Sequence, residues 1–343
     1  MALAFNTPER LRNVTSPTVT AVVVVHGSTA STVHSCVQSL LDSEGVDIRV
    51  VLVDNASPDR GAACAEWRTH SRVQLITSPR NDGFASGVNI GLTARRDGDA
   101  IVLLNDDATV APDALAVCVL ALTADPTIVA VAPRVMLANQ PDLIDSIGVV
   151  IRPNGEAFNA FIGQRWNNQV AKGADVLGPC FSAALFRSDA FESASIGPLD
   201  ERYRLYYEDI DWVLRAQRAG QRIVAATNAV VFHQHAASTR LLGEPARYEL
   251  VQRNLLLCAA KNFTLQSAIR VWGSRIIVHA KGCITGPYRI QRIRSIGRAL
   301  VALPATLLAR RQLPRRRAVA ETTLFAYATG LSPNFDTATY RAS

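Results

Sequence analysis

Several features that would narrow the class of protein are missing from this sequence of 343 residues. Its six cysteines are scattered and include no C-x-x-C pair, which argues against a disulfide framework or a structural zinc site and fits a reducing compartment. No uncharged apolar run reaches the ~18 residues of a spanning helix, and the opening MALAFNTPERLRN lacks the apolar core of a signal peptide. We therefore expect a cytoplasmic protein.

Negative charge is almost absent from the last part of the chain. Residues 1–249 contain 21 Arg and Lys against 27 Asp and Glu, whereas residues 250–343 contain 15 against 2, and no acidic residue lies between Glu249 and Glu321. Arginines alternate with apolar residues there, which is typical of amphipathic helices that lie on an anionic membrane. A segment packed on the rest of the protein, with its arginines in water, would show the same pattern. Nucleic-acid binding is less well supported, since no aromatic-basic recognition motif accompanies the arginines.

Strands and helices alternate through the first part of the chain. The run VTAVVVV consists mainly of β-branched residues and favours a strand buried on both faces of a parallel sheet. Ser28 or Thr29 can cap the helix that follows. The predicted strands are Val19–Val25, Ile48–Val53, Val73–Thr77, Ala100–Leu104 and Ile128–Ala132. This alternation indicates a doubly wound, mostly parallel α/β sheet, in which ligands bind at the carboxyl ends of the strands.

Two common nucleotide-binding motifs are absent from this alternation. No G-x-x-x-x-G-K-[ST] occurs, which excludes a P-loop. The glycines Gly83, Gly87 and Gly91 do not form G-x-G-x-x-G and follow the third predicted strand, so a Rossmann dinucleotide site is only weakly supported.

Polar residues follow the predicted strands instead, namely His26, Asp54, Asn81 and Asp107. The pair Asp106-Asp107 offers two oxygen ligands and suits Mg²⁺ or Mn²⁺ held beside a diphosphate. An aspartate that only caps a loop would look the same. The pair Asp54-Asn55 could likewise form only an Asx turn.

A second group of polar residues lies further along the chain. The spacing of apolar residues predicts a helix from Glu208 to Ala219, which places Glu208 and Asp209 in its first turn. The helix dipole favours ionised carboxylates in that position. A short strand, Val230–Phe232, is then followed by His233 and His235. A solvated acidic helix start followed by two incidental histidines is the alternative interpretation.

In combination, these segments resemble the family 2 glycosyltransferases of the GT-A fold, in their rhamnosyltransferase-like and galactofuranosyltransferase-like branch. The motifs that carry the resemblance are VVVVHG, DNASPD (54–59), RNDGFASGVNIGL (80–92), VLLNDDATV (102–110), GPCFSAALFRSDAF (178–191), YYEDIDWVLRAQRAG (206–220) and VVFHQHAAS (230–238). The resemblance implies a polar leader (1–17), a catalytic domain (18–262) with a nucleotide-binding half (18–135) and an acceptor-binding half (136–262), and a basic amphipathic helical extension (263–343).

The resemblance also implies roles for single residues. Asp209 would be the general base, with Glu208 beside it. Asp107 and His233 would contact the metal ion, and Asn105 replaces the first aspartate of the family's D-x-D motif. The nucleotide-binding residues would be His26, Asp54, Asn55, Arg80, Asn81, Asn89 and Asp106, with Asp54 on the pyrimidine. The acceptor-side residues would be Tyr207, Asp211 and Trp212, with core packing as the alternative for one of the two aromatic side chains.

The implied activity is inverting transfer of a sugar, with dTDP-rhamnose as the favoured donor, to a glycan or lipid-linked acceptor in cell-surface polysaccharide synthesis. Such a displacement builds charge on the leaving diphosphate, which Mg²⁺ or Mn²⁺ stabilises, and it needs a base for the acceptor hydroxyl. The extension would hold the protein at the inner face of the cell membrane, and no nucleic-acid partner is expected.

Two other functions stay open. A nucleotidyltransferase or nucleotide-sugar pyrophosphorylase would need a basic, glycine-rich loop where this chain has His26-Gly27-Ser28. A nucleotide-sugar-binding protein without turnover would not need the Glu208-Asp209 pair.

Overall fold

The computed structural model describes residues 16–167, 170, 176–234, 242–314 and 318–332. The strands are β1 Thr18–Val25, β2 Asp47–Asp54, β3 Val73–Thr77, β4 Ala100–Asn105, β5 Ala108–Val110, β6 Ile128–Leu137, β7 Gln140–Ser146, β8 Val149–Ile151, β9 Ala157–Asn159, β10 Ala183–Phe186 and β11 Arg222–His233. The helices are α1 Ala30–Leu41, a 3₁₀ helix Ala62–Thr69, α2 Phe84–Leu92, α3 Ala114–Thr123, α4 Glu208–Arg218, α5 Glu244–Asn262, α6 Leu265–Thr285, α7 Arg289–Gln312 and α8 Glu321–Ala326.

Nine strands form one sheet in the order β3-β2-β1-β4-β10-β6-β11-β5, with β7 paired to β6. The pairs β3–β2, β2–β1 and β1–β4 are parallel, as predicted. In the other half β6 and β11 are parallel, whereas β10, β5 and β7 pair with their neighbours in antiparallel fashion. The sheet is therefore parallel from β1 to β4 and mixed in the remainder. The elements from β1 to β4, α2 included, are hereafter the parallel half, and all later elements, α4 and α5 included, are the mixed half.

The predicted boundaries agree with the structure better in the parallel half. β3 has the predicted bounds, and α1 is capped by Thr29, whose hydroxyl accepts a hydrogen bond from the backbone N–H of Thr32 (3.3 Å). β11 begins at Arg222, well before the predicted strand, and its pairing with β6 shifts register between Ala226 and Val230. That irregularity interrupts the pattern of apolar residues on which the prediction depended.

The valine run of β1 lies at the centre of the parallel half and is buried on both faces, as predicted. Val22 and Val24 belong to a core shared with α2, α4 and α5, whereas Val23 and Val25 belong to a core shared with α1 and α3. Helix α2 approaches β1 closely at glycine, since a Cβ on Gly87 would lie 2.6 Å from Val24 Cγ1. The helices on both faces leave the carboxyl ends of the strands as the open edge.

The C-terminal extension is helical, as predicted, and part of it packs on α4 and α5. Val271, Ala299 and Leu324 are buried in the same core as α4 and α5. The Trp272 indole N–H donates to the backbone oxygen of Leu256 (3.0 Å). Among the described helices, none is both long and apolar enough to cross a bilayer.

Candidate active site

A cavity of about 560 Å³ opens at the carboxyl ends of β1, β2 and β4. The segment before β10, the loop that leads into α4 and the first turns of α5 complete its wall. The predicted site residues that line it are His26, Asn55, Asn81, Asp106, Asp107, Tyr207, Glu208, Asp209 and His233. One cavity therefore combines residues from strand ends of the parallel half with residues from the mixed half.

Hydrogen bonds tie the strand ends together on the side formed by β1 and β2. His26 Nδ1 lies 3.0 Å from the backbone oxygen of Asn55. Asn55 Nδ2 donates to Asn81 Oδ1 (3.2 Å) and to the backbone oxygen of Gly83 (3.1 Å). Asn55 Oδ1 is buried and lacks a hydrogen-bond partner within the described residues. A ligand that donates a hydrogen bond there would satisfy this atom.

A second cluster joins β4, β7 and β11 around an imidazole. His233 Nε2 lies 3.0 Å from Asp107 Oδ1, and His233 Nδ1 lies 2.7 Å from Asp145 Oδ2. Asn105 Nδ2 is 3.3 Å from the same Nε2. Asp145 is fully buried, and the sequence analysis missed it because its partner is 88 positions away and no motif marks it. His235 lies outside the described residues.

Burial and charge change the protonation of this cluster. Burial alone would lower the pKa of His233, but the carboxylates of Asp107 and Asp145 outweigh it and hold the pKa well above its usual range. Burial, followed by the charge of Asp107, raises the pKa of Asp106 to about 7. Asp106 Oδ2 lacks a hydrogen-bond partner in the described part of the chain. His233 thus holds a proton that a divalent cation can replace, because both bind the same nitrogen.

The donor set fits a divalent cation whose coordination is completed by phosphate and water. The described residues contain no arrangement of three or more His, Cys, Asp or Glu side chains that could hold a metal ion by themselves. Mg²⁺ is usually bound through one or two carboxylates together with substrate phosphates, and carboxylate oxygens also suit Mn²⁺. Asp107 and His233, the predicted pair, already lie within contact distance of each other.

Glu208 and Asp209 begin α4 at the cavity, as predicted. Burial, together with the charge of Asp209, raises the pKa of Glu208 well above its usual range. Burial raises the pKa of Asp209 to about 6. Asp209 Oδ1 also accepts a hydrogen bond from the backbone N–H of Ile210 (2.7 Å). Asp209 is therefore the ionised member of the pair near neutral pH and the one able to accept a proton.

Two residues expected on the acceptor side, Trp212 and Asp211, lie in the core instead of the cavity wall; for Trp212 this is the core-packing alternative given above. Trp212 is fully buried, and its ring packs against three phenylalanine rings. Asp211 is also fully buried and lies 2.8 Å from Lys261 Nζ and 3.0 Å from Arg215 Nε. Both lie about one turn beyond the start of α4, and only the start of the helix lines the cavity.

Three predicted nucleotide-side residues lie outside the residues that form the cavity wall. Arg80 is exposed and pairs with Asp82. Asn89 exchanges hydrogen bonds with the backbone of Leu199 (2.9 and 3.0 Å), which joins α2 to the loop before α4. Asp54 is buried, and its Oδ1 accepts a hydrogen bond from a backbone N–H of the turn after β2 (2.9 Å). Arg80 and Asp54 are thus engaged by residues of their own motifs, and only Asn89 has a partner far along the chain.

The remaining wall of the cavity is largely apolar. Phe158 and Ile162 line it near β9, and Leu242, Leu250 and Val251 line it near the start of α5. Sequence reasoning did not find this wall, because its residues belong to segments without a catalytic motif. The cavity therefore presents polar groups at the strand ends and hydrocarbon surface on another side.

Known proteins share the family and the fold of this chain. Residues 20–193 match the family model described as Glycosyl transferase family 2. Over 99 residues the chain is 40% identical to the succinoglycan biosynthesis protein ExoO of Rhizobium meliloti (strain 1021). That match covers 29% of this chain and 28% of that protein.

Three solved structures share the architecture. The mannosyltransferase PcManGT from Pyrobaculum calidifontis, in complex with GDP-Man and Mn²⁺, is 19% identical with a TM-score of 0.51, over 86% of this chain and 88% of that one. GalNAc-T7 with UDP, GalNAc and Mn²⁺ is 14% identical with a TM-score of 0.59, over 90% and 60%. S. aureus TarS 1-349 is 14% identical with a TM-score of 0.52, over 84% and 82%. The predicted GT-A fold is confirmed.

Proposed function

Because the chain belongs to glycosyl transferase family 2, it is a glycosyltransferase, and we propose that it moves a sugar from a nucleoside diphosphate donor to a hydroxyl group of a glycan or lipid-linked acceptor. One observation carries the proposal: a single cavity contains both the Asp107–His233 pair and the Glu208–Asp209 pair. Displacement of a diphosphate needs positive charge beside the leaving group and a base beside the attacking hydroxyl. The cavity holds residues suited to both tasks.

On the donor side, polar atoms at the ends of β1 and β2 would bind the nucleoside. Asn55 Oδ1 would accept a hydrogen bond, with His26 and Asn81 beside it. Asp107 and His233 would hold Mg²⁺ or Mn²⁺, and the bound ion would neutralise the charge that develops on the leaving diphosphate. The Mn²⁺ in the PcManGT and GalNAc-T7 structures supports a divalent ion.

On the acceptor side, Asp209 would take the proton of the attacking hydroxyl. Glu208 beside it stays protonated because burial and the charge of Asp209 raise its pKa, so it can donate a hydrogen bond and does not compete for the proton. One base and one charge-neutralised leaving group define a single displacement, which inverts the anomeric carbon.

The apolar wall bears on the choice of acceptor. Phe158, Ile162, Leu250 and Val251 offer hydrocarbon surface inside the cavity, which suits an acceptor whose sugar is joined to a lipid. ExoO is named for succinoglycan biosynthesis, which supports a role in polysaccharide synthesis. The motifs shared with the rhamnosyltransferase-like branch favour dTDP-rhamnose as the donor.

Ligand-dependent melting tests the nucleotide and metal assignments. The protein is heated with UDP, dTDP or GDP, each with and without Mn²⁺ or Mg²⁺, because a ligand of the folded state raises the Tm by mass action. We expect a nucleotide-specific shift that needs the ion, is lost in Asp107→Ala and is retained in Arg80→Ala, whose side chain is exposed. The matching nucleotide-sugar, dTDP-rhamnose included, is then incubated with lipid-linked oligosaccharides and the products are weighed by mass spectrometry. A folded protein that binds none of the three nucleotides contradicts the proposal.

The enzyme would also lie against an anionic membrane, through a surface that we name the α6–α7 apolar face. Its exposed residues are Leu265, Ile269, Ile276, Ile277, Val278, Ile284, Ile290, Ile293, Leu300, Val301, Leu307 and Leu308. Elsewhere in the described residues, only Leu120 and Leu242 are large, apolar and comparably exposed. Basic residues accompany this face, and no acidic residue lies between Glu249 and Glu321. A bilayer with anionic lipids matches both properties, whereas a second copy of the chain would bring like charges together.

Vesicle flotation tests this surface. We expect binding to vesicles that contain phosphatidylglycerol and none to pure phosphatidylcholine. The double variant Ile293→Glu with Val301→Glu should stay in solution, whereas Leu120→Glu on α3 should float like the parent. Absence of binding to anionic vesicles would refute membrane association at the inner face of the cell membrane. A concentration-dependent dimer that the double variant abolishes would assign the face to a second copy of the chain.

A further inference from the structure

The segment that leads into α4 has an unusual backbone. Arg204, Tyr206 and Tyr207 have φ angles of 63°, 67° and 72°, which side-chain-bearing residues adopt rarely and keep only where the surroundings hold them. Tyr207 is the N-cap residue of α4 and makes no side-chain capping hydrogen bond. The orientation of Glu208 and Asp209, which follow this segment directly, therefore depends on contacts that other parts of the protein make with it.

One buried side chain makes three of those contacts. Asn254 on α5 is fully buried, and its Nδ2 lies 2.8 Å from the backbone oxygen of Tyr203, 2.9 Å from that of Leu205 and 2.7 Å from that of Tyr206. Two N–H groups are thus shared among three carbonyl oxygens. Its Oδ1 accepts a hydrogen bond from Arg253 Nη1 (2.7 Å), which also donates to the backbone oxygen of Arg202 (2.8 Å).

We propose that Asn254 is a positioning residue for sugar transfer, because it holds residues 203–207 in the conformation that directs Asp209 into the cavity. The proposal rests on the proposed function, in which Asp209 is the base. Only a side chain with two N–H groups on one atom meets the three oxygens in this way. Aspartate would place a carboxylate against them, and alanine would leave them unpaired in the core.

Helix α5 offers a matched control for this role. Asn262 is also almost fully buried, and its Nδ2 donates to the Asp211 side chain (Oδ1, 2.8 Å), not to the backbone of residues 203–207. Asn262→Ala removes a buried amide from the same helix but leaves the carbonyl contacts of residues 203–207 in place. A general loss of packing should affect both variants alike, whereas a positioning role should affect Asn254 alone.

Hydrogen exchange tests the geometry without any substrate. In peptides that cover residues 203–212, the amides of Arg204 and Leu205 donate to backbone oxygens and should be protected. We expect Asn254→Asp to exchange these amides about tenfold faster than the parent, and Asn262→Ala to match the parent. If Asn254→Asp does not fold, Asn254→Gln replaces it, since it keeps the donors one methylene further out. Unchanged exchange in the folded variant overturns the proposal.

Kinetics test the consequence for the reaction. With the donor identified by the melting experiment, kcat of the Asn254 variant should fall by about 10²-fold, because a misplaced base costs about that much, while KM for the donor stays as in the parent. Asn254→Gln should recover part of kcat. If the parent itself transfers no sugar, the proposed function fails while the exchange result stands. If the parent is active and the Asn254 variant keeps its kcat, the positioning role is wrong and the proposed function survives.

Discussion

The parallel half and the mixed half hold their cavity residues in different ways. In the parallel half, Asn55 and His26 follow strands and are tied to each other and to a neighbouring loop by backbone atoms. In the mixed half, Asp145 orients His233 from another strand, and Asn254 holds the segment before Asp209 from another helix. The end of a strand is set by neighbouring residues, whereas a buried polar partner from a distant segment is positioned only when the whole chain has folded.

The packing behind each half shows the same contrast. Behind α4, Lys261 Nζ lies 2.6 Å from Asp200 Oδ2 and 2.8 Å from Asp211 Oδ2. Burial raises the pKa of Asp211, but Lys261 and Arg215 outweigh it and hold the pKa below its usual range. Helix α2 instead packs on β1 without buried charge, by the close approach that its glycines permit. Substitutions in the mixed half should therefore lower stability or activity more than substitutions in the parallel half.

Replacing the base should separate the two halves most clearly. Asp209→Asn should lower the rate of transfer by about 10²–10⁴-fold, because it removes general base catalysis, while the nucleotide-dependent rise in Tm should persist. The pKa of Asp209 is raised from 3.8 to about 6 in the fold. Its ionisation therefore opposes folding as the pH rises through that window, and the variant should be at least as stable at pH 7. Asp142→Asn, at an exposed carboxylate, is the control, and loss of nucleotide binding in Asp209→Asn would show that the halves are not separable.

Breaking the buried ion pairs behind α4 should have the next largest effect, a loss of folding stability. Lys261→Met leaves Asp211 and Asp200 without their shared ammonium group and should lower the free energy of unfolding by about 3–5 kcal/mol. Lys281→Met, at an exposed position on α6, should change it by less than about 0.5 kcal/mol. Urea unfolding followed by circular dichroism measures both. Equal effects of the two substitutions would argue against a structural role for the charges behind α4.

Adding one methyl group to a glycine of the parallel half should lower the stability by a smaller amount. A Cβ on Gly91 would overlap the Val22 side chain, so Gly91→Ala should destabilise the protein by about 1–3 kcal/mol through overpacking. Gly273→Ala, at a position in α6 with open space around it, should stabilise by about 0.5–1 kcal/mol because glycine disfavours the helix. Denaturant midpoints of the pair provide the measurement. A neutral Gly91→Ala would mean that α2 can move away from β1.

Mild acidification should have the smallest effect, a gradual fall in kcat/KM. The base works only when ionised, and the pKa of Asp209 is about 6, so kcat/KM should stay level above that pH and fall by about tenfold for each unit below it. A pH–rate profile at saturating metal ion measures the midpoint. A midpoint near 7 that disappears in Asp106→Asn, whose pKa is also raised to about 7, would instead place the titrating group in the parallel half.

Much of the fold and part of the site could be predicted from the sequence, for local reasons. Apolar runs, most of them rich in β-branched residues, identified the parallel strands, and the ends of those strands indicated His26, Asn55 and Asp107. The helix that begins at Glu208 was read from its apolar spacing, which also placed Asp209 at its start. The short strand β10 is not indicated by the sequence, because its four residues, AALF, include no β-branched residue.

The sequence by itself determined which residues could carry chemistry, since strand ends and a helix start are set by neighbouring residues. Only the tertiary structure decided which of them reach the cavity. Trp212 and Asp211 belong to the same motif as Asp209 yet lie in the core, because only the start of α4 borders the cavity and the following turn is packed against other elements. Asp145 and Asn254 matter only through partners far along the chain. A buried polar group must find a hydrogen-bond partner, and that partner is chosen by the packing of the whole fold.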